Sequence, residues 1–415
     1  MCISQLKYWV WLSTLKGIGA VTAAALLRRF GTPESVYTAN SNEYHGIEGV
    51  KQTDISGLLN KDLGLANKTL ARCAEIGCRI ITLQDADYPD RLRNIYDPPI
   101  IFFVRGNLPV IDEEPAVAIV GTRECTPYGI KAAETMGYEL ACSGIVVVTG
   151  LARGIDSAAT RGALRGGGRV VGVIGSGLDI VYPHENRALF EDVSVSGAIV
   201  SEYPPGTRAM PGNFPARNRI ISGMSLGVAV IEAPKKSGAL ITAARALEQG
   251  RDIFALPGNI DAQKSEGSNS LLREGAIPIL SAEDIISEYK ELYPDKIIRV
   301  EPDPTVSEKR YDEAPPNPQT EVVGNAQGVG QKKEDIDNTS HVEYIDLDKI
   351  LGALDADERP VVESIGGSAL GVDEIIVRSG LPAQQVLSAL TMLEIKGYAA
   401  RHDGLWSINV EQRRL

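Results

Sequence analysis

The sequence predicts an α/β protein built around a doubly wound, Rossmann-like sheet, with an N-terminal helix-hairpin-helix (SAM-like) domain and a C-terminal winged helix. Two observations predict the central sheet. Short apolar runs alternate with helix-like segments between residues 111 and 292, an order typical of a mostly parallel sheet. The runs also end in small, hydroxyl-bearing or basic residues, and ligands of such sheets bind at the carboxyl ends of the strands.

Length and composition limit the possible functions. The 415 residues are enough for two or three domains, and no apolar run approaches the roughly 20 residues that span a bilayer. We therefore expect a cytoplasmic protein without membrane contact. The five cysteines lack metal-ligand spacing and the four histidines are scattered, so we expect reduced thiols and neither a metal nor a cofactor. The net charge of −12 does not exclude nucleic acid, because binding depends on the local potential of a groove.

Residues 1–110 are predicted to form the N-terminal helical domain. Gly17 and Gly19 enclose one apolar residue between two helix-like segments, a spacing typical of a helix-hairpin-helix turn. Amides of such a turn can contact a phosphate without reading sequence, so both glycines are candidates for non-specific DNA contact. A packing module or a partner surface explains the same pattern equally well. The apolar run at 98–106 predicts a strand that leads into the central domain.

The central domain is predicted to span residues 111–292. Its predicted strands are the apolar runs at 116–120, 145–149, 170–174, 197–203, 228–232 and 253–256. Its predicted helices lie at 128–142, 156–166, 186–193, from Pro215 onward, and at 238–250, 268–274 and 281–292. Strands and helices therefore alternate along the domain, as a doubly wound sheet requires.

The remainder of the chain is predicted to hold a linker and a third domain. Proline, glycine, asparagine and charged residues dominate 293–343, which predicts a flexible acidic linker. Residues 344–415 are predicted to form the winged helix, with helices at 372–379 and 383–396 and a hairpin wing around 397–408. In winged-helix proteins that bind DNA, the longer helix enters the major groove. Here that helix is poor in basic residues. This domain is therefore a candidate both for protein binding and for DNA binding.

Glycine turns and basic residues coincide at several strand ends of the central domain. They are Gly121, Thr122 and Arg123 after the first strand, Gly150, Arg153 and Gly154 after the second, and Lys235, Lys236, Ser237 and Gly238 after the fifth. Amides and cations at one edge of a sheet indicate an anion site. The chain has neither a Walker A sequence nor a complete Gly-x-Gly-x-x-Gly fingerprint, so nucleotide cofactors are not expected.

Arg217, Asn218 and Arg219 form a second basic segment near the start of a predicted helix. Arginine can fork onto a phosphate or stack on a base, so this segment is a candidate for DNA contact. Residues two positions apart on a helix cannot both face one groove. One of the two arginines is therefore expected to pair with Glu202 or Glu232.

The aromatic and acidic residues of the domain are assigned structural roles. Phe214 precedes a proline and is predicted to lie in the core, with stacking on an unpaired base as the alternative. Asp156 is predicted to cap a helix, Asp179 to accept hydrogen bonds from turn amides, and His184 to be a turn histidine. No nucleophile–base pair is apparent in the sequence, so no catalytic residue is predicted.

Five ordered motifs resemble the DprA/Smf family of bacterial DNA-processing proteins. The motifs span 121–123, 149–156, 182–186, 214–223 and 237–242, and the similarity continues upstream at 88–92 and 97–99. The resemblance implies a cytosolic protein that is not an enzyme and holds single-stranded DNA by its phosphates, with duplex DNA bound more weakly. It also implies a homodimer that protects incoming DNA and loads RecA recombinase during natural transformation.

The resemblance assigns DNA contact, motif by motif, to residues at the strand ends and in the basic segment. These residues are Gly121, Thr122, Arg123, Gly150, Arg153, Gly154, Arg217, Asn218, Arg219, Lys235, Ser237, Gly238 and Thr242. Replacing Arg123 or Arg217 with alanine is then expected to lower single-strand affinity strongly and to leave folding normal.

Two other functions stay open on the sequence. The core also resembles the lysine-decarboxylase-like phosphoribohydrolases, which cleave nucleoside monophosphates and carry a catalytic glutamate shortly after a glycine loop. Here the loop at 237–242 is followed by Ala243 and Ala244, and Glu248 comes too late in the helix, so the general acid is missing. A transcription regulator is the third candidate and rests on the winged helix alone, although few basic residues stand on its longer helix.

Overall fold

The computed structural model describes residues 3–298, 359–365, 370–395, 399–402 and 405–408. The chain divides into two compact units, residues 1–320 and 321–415, and each is described by itself. Most of the acidic linker predicted at 293–343 lies outside the described residues, so this assignment stays a prediction.

The helices of the first unit follow the apolar periodicity of the sequence. Those before the first strand are α1 (Ile3–Thr14), α2 (Ala20–Phe30), α3 (Pro33–Thr38), α4 (Gln52–Leu58) and α5 (Gly64–Glu75). Those after it are α6 (Asp90–Arg93), α7 (Pro127–Cys142), α8 (Ile155–Arg165), α9 (Arg187–Ser196), α10 (Asn213–Gly223), α11 (Gly238–Glu248), α12 (Glu266–Arg273) and α13 (Glu283–Lys290). Helix α10 begins two residues before the predicted start at Pro215, which sits in its first turn, where an amide has no partner inside the helix.

Nine strands of the first unit form one sheet within residues 3–298. They are β1 (Arg79–Thr82), β2 (Ile101–Gly106), β3 (Ala116–Val120), β4 (Val146–Thr149), β5 (Val170–Ile174), β6 (Ala198–Ser201), β7 (Gly227–Val230), β8 (Asp252–Ala255) and β9 (Ile277–Pro278). Their order is β1-β2-β6-β5-β4-β3-β7-β8-β9, and all pairs from β6 to β9 are parallel. The order reverses between β3 and β7, which confirms the predicted doubly wound sheet and creates a topological switch point there.

Two antiparallel strands extend this sheet at one edge. Strand β2 pairs with β6, with Val104 opposite Val200, and β1 pairs with β2, with Ile81 opposite Phe102. Both strands come from the segment that we assigned to the N-terminal domain. The sheet therefore continues across the predicted boundary at residue 110, and that boundary stays a prediction.

The central strands are buried on both faces. In β3, Val117 and Ile119 belong to the same apolar cluster as Trp11 of α1, whereas Ala118 and Val120 belong to the cluster on the opposite face. A strand covered by helices on both sides needs apolar residues at every position. This requirement explains why the sequence shows continuous apolar runs rather than an alternating pattern.

The turn between α1 and α2 matches the predicted helix-hairpin-helix turn. Gly17 has a φ of +90°, a conformation that favours glycine, and the Gly19 carbonyl accepts a hydrogen bond from the Ala23 amide at 2.9 Å. Gly19 also lines a cavity of about 400 Å³ together with Glu202, whose carboxylate pairs with Arg219. DNA contact by Gly17 and Gly19 stays a prediction.

Helices α7 and α8 approach each other closely because glycines stand at their contact. A methyl group at Gly162 would overlap the carbonyl oxygen of Glu134, and one at Gly137 would overlap the carbonyl oxygen of Ala159. Neither obstacle is a flexible side chain, so a larger residue at these positions would push the two helices apart.

The Gly162→Ala variant is expected to lose about 1–3 kcal/mol of unfolding free energy, the usual cost of overpacking a close-packed core. Chemical denaturation measures the loss. Gly19→Ala is the matched control, because a methyl group there meets nothing within 4 Å and the φ of −84° suits alanine. Equal stability of the two variants would contradict the close contact between α7 and α8.

The second unit is a small winged helix, as predicted. Its elements are α14 (Arg359–Ile365), α15 (Val372–Ser379), α16 (Ala383–Ile395), β10 (Leu370–Gly371), β11 (Ala399–His402) and β12 (Leu405–Ile408), with the strands in the order β10-β12-β11. Val386, Leu390 and Leu393 of α16 belong, with Trp406, to its buried apolar cluster. The exposed side chains described on α16 include Leu387 and polar neutral residues but no lysine or arginine. This face therefore gives no electrostatic support to major-groove binding.

Candidate nucleic-acid interface

A cavity of about 580 Å³ opens at the topological switch point of the sheet. The loops that follow β3 and β7 line it, together with the first turns of α10 and α11. Eight of the residues predicted to contact DNA line it: Gly121, Thr122, Arg123, Arg217, Asn218, Ser237, Gly238 and Thr242. Five others lie in the surrounding structure and do not line it: Gly150, Arg153, Gly154, Arg219 and Lys235.

The loop after β3 brings a cation to the mouth of the cavity. The amide of Thr122 donates to the Glu232 carbonyl at 2.7 Å, which ties this loop to the end of β7. Arg123 is exposed, and its guanidinium lies over the Phe214 ring at 4.9 Å. Arg123 makes no ion pair within the described residues, so its charge is available to a phosphate.

Phe214 and Tyr182 form an aromatic wall of the cavity. Phe214 is only partly buried, and its ring centroid lies 5.6 Å from that of the largely exposed Tyr182. The prediction that Phe214 is a core residue was therefore wrong. The proline after it does not bury the ring, because α10 starts at Asn213 and directs its first turn toward the cavity.

Asp156 organises the loop after β4 instead of capping a helix. Gly154 is the residue that precedes α8, and the Asp156 carboxylate accepts hydrogen bonds from the amides of Gly150 (3.1 Å) and Ala152 (3.4 Å). Gly154 has a φ of +75°, and a methyl group there would overlap the Thr122 carbonyl oxygen. Gly150 and Gly154 therefore shape the loop that supports the cavity, but they do not line it.

Arg217 is a buried cation beneath the cavity floor. Its guanidinium donates to the carbonyl oxygens of Gly150 (2.8 Å) and Val173, and only a small edge reaches the cavity. Burial lowers the pKa of Arg217 to about 10, and the nearby Asp156 acts in the opposite direction. Burial likewise raises the pKa of Asp156, with Arg217 opposing the change. Each charge therefore compensates the other in a site that is almost completely buried.

Arg219 does not reach the cavity. It is 6 % exposed and donates to both carboxylate oxygens of Glu202, at 2.7 and 2.9 Å, and it pairs with Asp97 at 3.1 Å. This confirms that one arginine of the segment pairs with Glu202, and it corrects the assignment of Arg219 as a direct DNA contact. Its ion pairs tie the middle of α10 to the segments that precede β2 and follow β6.

The loop after β7 presents both side chains and backbone at the cavity. The Ser237 hydroxyl accepts from the Ala239 amide at 3.2 Å and so caps α11. Asn218 donates to the Gly238 carbonyl at 3.2 Å, which joins α10 to α11 below the opening. Thr242 is buried one turn further along α11, and Lys236 lines the mouth. Lys235 points instead toward a neighbouring groove on the outer side of α11.

Two cations, one in the cavity lining and one outside it, are paired with carboxylates. Arg153 donates through two nitrogens to Glu185, at 2.9 Å for the Nη2 bond, and both side chains are largely exposed. Lys264 pairs with Glu124 at 2.9 Å. Lys264 was not predicted from the sequence, because it lies well beyond the end of β8, whereas the predicted cations follow their own strands closely.

The remaining acidic residues have structural partners. Asp179 accepts from the Gly206 amide at 2.6 Å, as predicted for a residue bonded to a turn. Glu232 accepts from the amide and hydroxyl of Thr126, at 2.8 and 2.7 Å. Glu248 pairs with Arg245 near the far end of α11 and does not line the cavity. No group of three metal-binding side chains occurs within the described ranges, and no helix there is long and apolar enough to cross a bilayer.

Taken together, the fold and the cavity define an α/β protein with a cavity lined by basic and small polar residues at the switch point of a parallel sheet. A family profile described as DNA recombination-mediator protein A matches residues 79–290, and one described as DprA winged helix domain matches residues 349–404. The chain belongs to the DprA/Smf family of DNA-processing proteins.

Individual relatives support this assignment over both halves of the chain. Protein Smf of Synechocystis is 34% identical over 421 residues, which cover 98% of this chain and 99% of the relative. DNA processing protein DprA of Streptococcus pneumoniae is 44% identical over 209 residues, or 50% of this chain and 73% of the relative. The X-ray structure of DprA from S. pneumoniae aligns with a TM-score of 0.59 and 35% identity, covering 68% of this chain and 96% of that one.

Proposed function

We propose that this protein binds single-stranded DNA in the cavity between the ends of β3 and β7, and that it acts as a binding protein rather than an enzyme. The proposal rests mainly on Arg123. Its guanidinium is exposed, has no ion-pair partner in the described residues and lies over the Phe214 ring at 4.9 Å. A cation and an aromatic face at one opening can hold a phosphate and the base next to it.

A helix dipole and a lysine at the mouth support phosphate binding in the same cavity. Gly238 opens α11, whose helix dipole favours an anion at this end, while the Ser237 hydroxyl already accepts from the Ala239 amide. Lys236 at the mouth adds positive potential, whereas the charge of Arg217 beneath the floor is balanced by Asp156. The local field is thus favourable to phosphate, although the whole chain carries a net charge of −12.

The shape of the site favours single-stranded over duplex DNA. Phe214 and Tyr182 present ring surfaces inside a concave opening, and only an unpaired base can offer its face to such a ring. The bases of a duplex are already stacked on one another. Duplex binding is therefore expected to depend on phosphate contacts alone and to be weaker.

Binding of a labelled oligonucleotide, single-stranded and as duplex, over a salt series tests the proposal. If Arg123 and Lys236 neutralise two phosphates, the logarithm of the single-strand affinity should fall with the logarithm of salt with a slope of about −1.4. No single-strand binding at low salt would contradict the proposal. Release of free base from a nucleoside monophosphate would instead support the phosphoribohydrolase.

We further propose that the protein forms a homodimer and loads RecA recombinase onto the bound strand, as the family resemblance implies. Leu247, Ile260 and Leu280 are exposed apolar residues around the edge formed by β8 and β9, with Ile260 97% exposed. Such a patch is suited to covering by a second copy. Light scattering tests the dimer, and RecA ATPase activity on a strand precoated with a single-strand binding protein tests loading.

The Glu185→Gln variant is expected to bind single-stranded DNA about two- to fivefold more tightly at low salt. The neutral amide releases Arg153, which the carboxylate otherwise engages through two nitrogens. Direct titration of the oligonucleotide measures the gain. The increase should vanish at high salt, because exposed charges are then screened.

A matched control separates this local effect from the change in net charge. Glu191→Gln also removes one acidic residue of an exposed ion pair, with Arg105 on strand β2. It lies away from the cavity and should leave the affinity unchanged. An equal gain in both variants would show that net charge, rather than release of Arg153, determines the affinity.

A further inference from the structure

Helix α5 ends in a turn that brings two cysteines together. The amide of Cys78 donates to the carbonyl of Cys73 at 3.0 Å, and the amide of Gly77 donates to Ala74 at 3.4 Å. Gly77 has a φ of +64°. This pair of hydrogen bonds with a left-handed glycine is the Schellman motif, in which the side chains at the Cys73 and Cys78 positions commonly contact each other.

The two thiols have different environments within this turn. Cys73 is 4% exposed and belongs to the apolar cluster under the sheet, whereas Cys78 is only partly buried at the edge of that cluster. Interaction between the two thiols lowers the pKa of Cys78 and raises the pKa of Cys73. Cys78 is therefore the sulfur that solvent can reach and that ionises first.

We propose that Cys73 and Cys78 are a redox-active dithiol, which a hydroperoxide converts to an intramolecular disulfide within the turn between α5 and β1. The motif supplies what a disulfide requires, namely two backbones held close together with their side chains on the same side. The turn needs no rearrangement of the sheet, since the intervening residues already form a closed hydrogen-bonded loop.

The reaction has two balanced steps. The Cys78 thiolate attacks one oxygen of hydrogen peroxide, the O–O bond breaks, and the departing hydroxide takes up a proton to become water, leaving a sulfenic acid on Cys78. The Cys73 sulfur then attacks the Cys78 sulfur, the S–S bond forms as the S–O bond breaks, and a second water leaves with the proton of Cys73. Two thiols are oxidised and one peroxide is reduced to two waters.

The position of the pair connects it to the central sheet. Arg72, next to Cys73, donates to Asp179 at 3.1 Å, and Asp179 accepts from the Gly206 amide at 2.6 Å. These contacts join the end of α5 to the loops after β5 and β6. The disulfide would therefore form where the N-terminal helices meet the carboxyl edge of the sheet, outside the lining of the proposed DNA cavity.

The test treats the full-length reduced protein with hydrogen peroxide and follows each cysteine by peptide mass spectrometry. The expected result is a peptide that has lost two hydrogen atoms through a Cys73–Cys78 bond, and a thiol reductant should reverse it. Cys125 is the internal comparison, because it is also partly buried and burial raises its pKa. It should react on the order of tenfold more slowly than Cys78.

Two variants assign the order of the steps. In Cys73→Ser, Cys78 should stop at a sulfenic acid that a cyclic diketone traps, whereas in Cys78→Ser the buried Cys73 should not react. Unchanged thiols at both positions, or linkage of either to another cysteine, would overturn the proposal. The readout is the chemistry of sulfur, so its failure is independent of any result on DNA binding.

Discussion

Replacing Arg123 with alanine is expected to lower the affinity for single-stranded DNA by about 10- to 100-fold, the usual range for losing a hydrogen-bonded contact to a charged group. The folded state should be unaffected. Arg123 is exposed, and its described contact is the face of Phe214 at 4.9 Å, so no buried partner loses its hydrogen bond. Oligonucleotide titration measures the affinity, and thermal unfolding checks the fold.

Two further variants show whether the loss is specific to this site. Arg28→Ala removes the same charge from an exposed position near the end of α2 and should leave binding nearly unchanged. Arg123→Lys keeps the charge but loses the planar fork and the stacked geometry, so it should recover only part of the affinity. The site assignment would be wrong if Arg123→Ala and Arg28→Ala bound the strand equally well.

Replacing Arg217 with leucine is expected to lower the unfolding free energy by about 3–5 kcal/mol, the typical cost of removing one partner from a buried pair of charges. The carbonyls of Gly150 and Val173 lose their donor, and the buried Asp156 loses the cation that contributes most to offsetting its burial. This revises the expectation from the sequence that the Arg217→Ala variant folds normally. Any loss of DNA binding in such variants must be corrected for the unfolded fraction.

The pH dependence of this loss identifies its cause. Burial raises the pKa of Asp156, so the folded protein binds more protons than the unfolded chain above the unfolded pKa of about 3.9. The penalty for an Asp156 without Arg217 is therefore present at pH 7 and should shrink as the pH falls toward 4. Urea denaturation of the Arg217→Leu variant at several pH values measures this trend.

A second substitution provides the control. Asp156→Asn in the Arg217→Leu background removes the unpaired charge and should recover a large part of the lost stability at pH 7. The asparagine oxygen can still accept from the amides of Gly150 and Ala152. No recovery in the double variant would show that the carbonyl contacts of Arg217, rather than its charge, account for the loss.

Several features of the site could be predicted from local sequence. Arg123 and Ser237 follow apolar runs, and the carboxyl ends of parallel strands meet at one edge of a sheet, so their convergence follows from the strand–helix alternation. The two-residue spacing of Arg217 and Arg219 also predicted that one of them turns away from the groove, and Glu202 was one of the two partners named for it.

Other features depended on contacts between residues far apart in sequence. Phe214 lines the cavity because α10 starts two residues before the proline and faces the ends of β3 and β7, which no local pattern indicates. The burial of Arg217 depends on carbonyls that follow or belong to β4 and β5. The ion pair between Arg153 and Glu185 likewise depends on two loops that meet only in the folded chain.

The sequence by itself therefore determined how strands and helices alternate along the chain and that a winged helix follows. It also determined the edge of the sheet at which the site would form. These follow from periodicity and from the stereochemistry of parallel strands, which act over a few residues. Only the tertiary structure decided which cations are exposed at the cavity, which are buried beneath it and which are neutralised. Burial and charge pairing depend on packing across the whole sheet, and that information is not contained in any single segment of the chain.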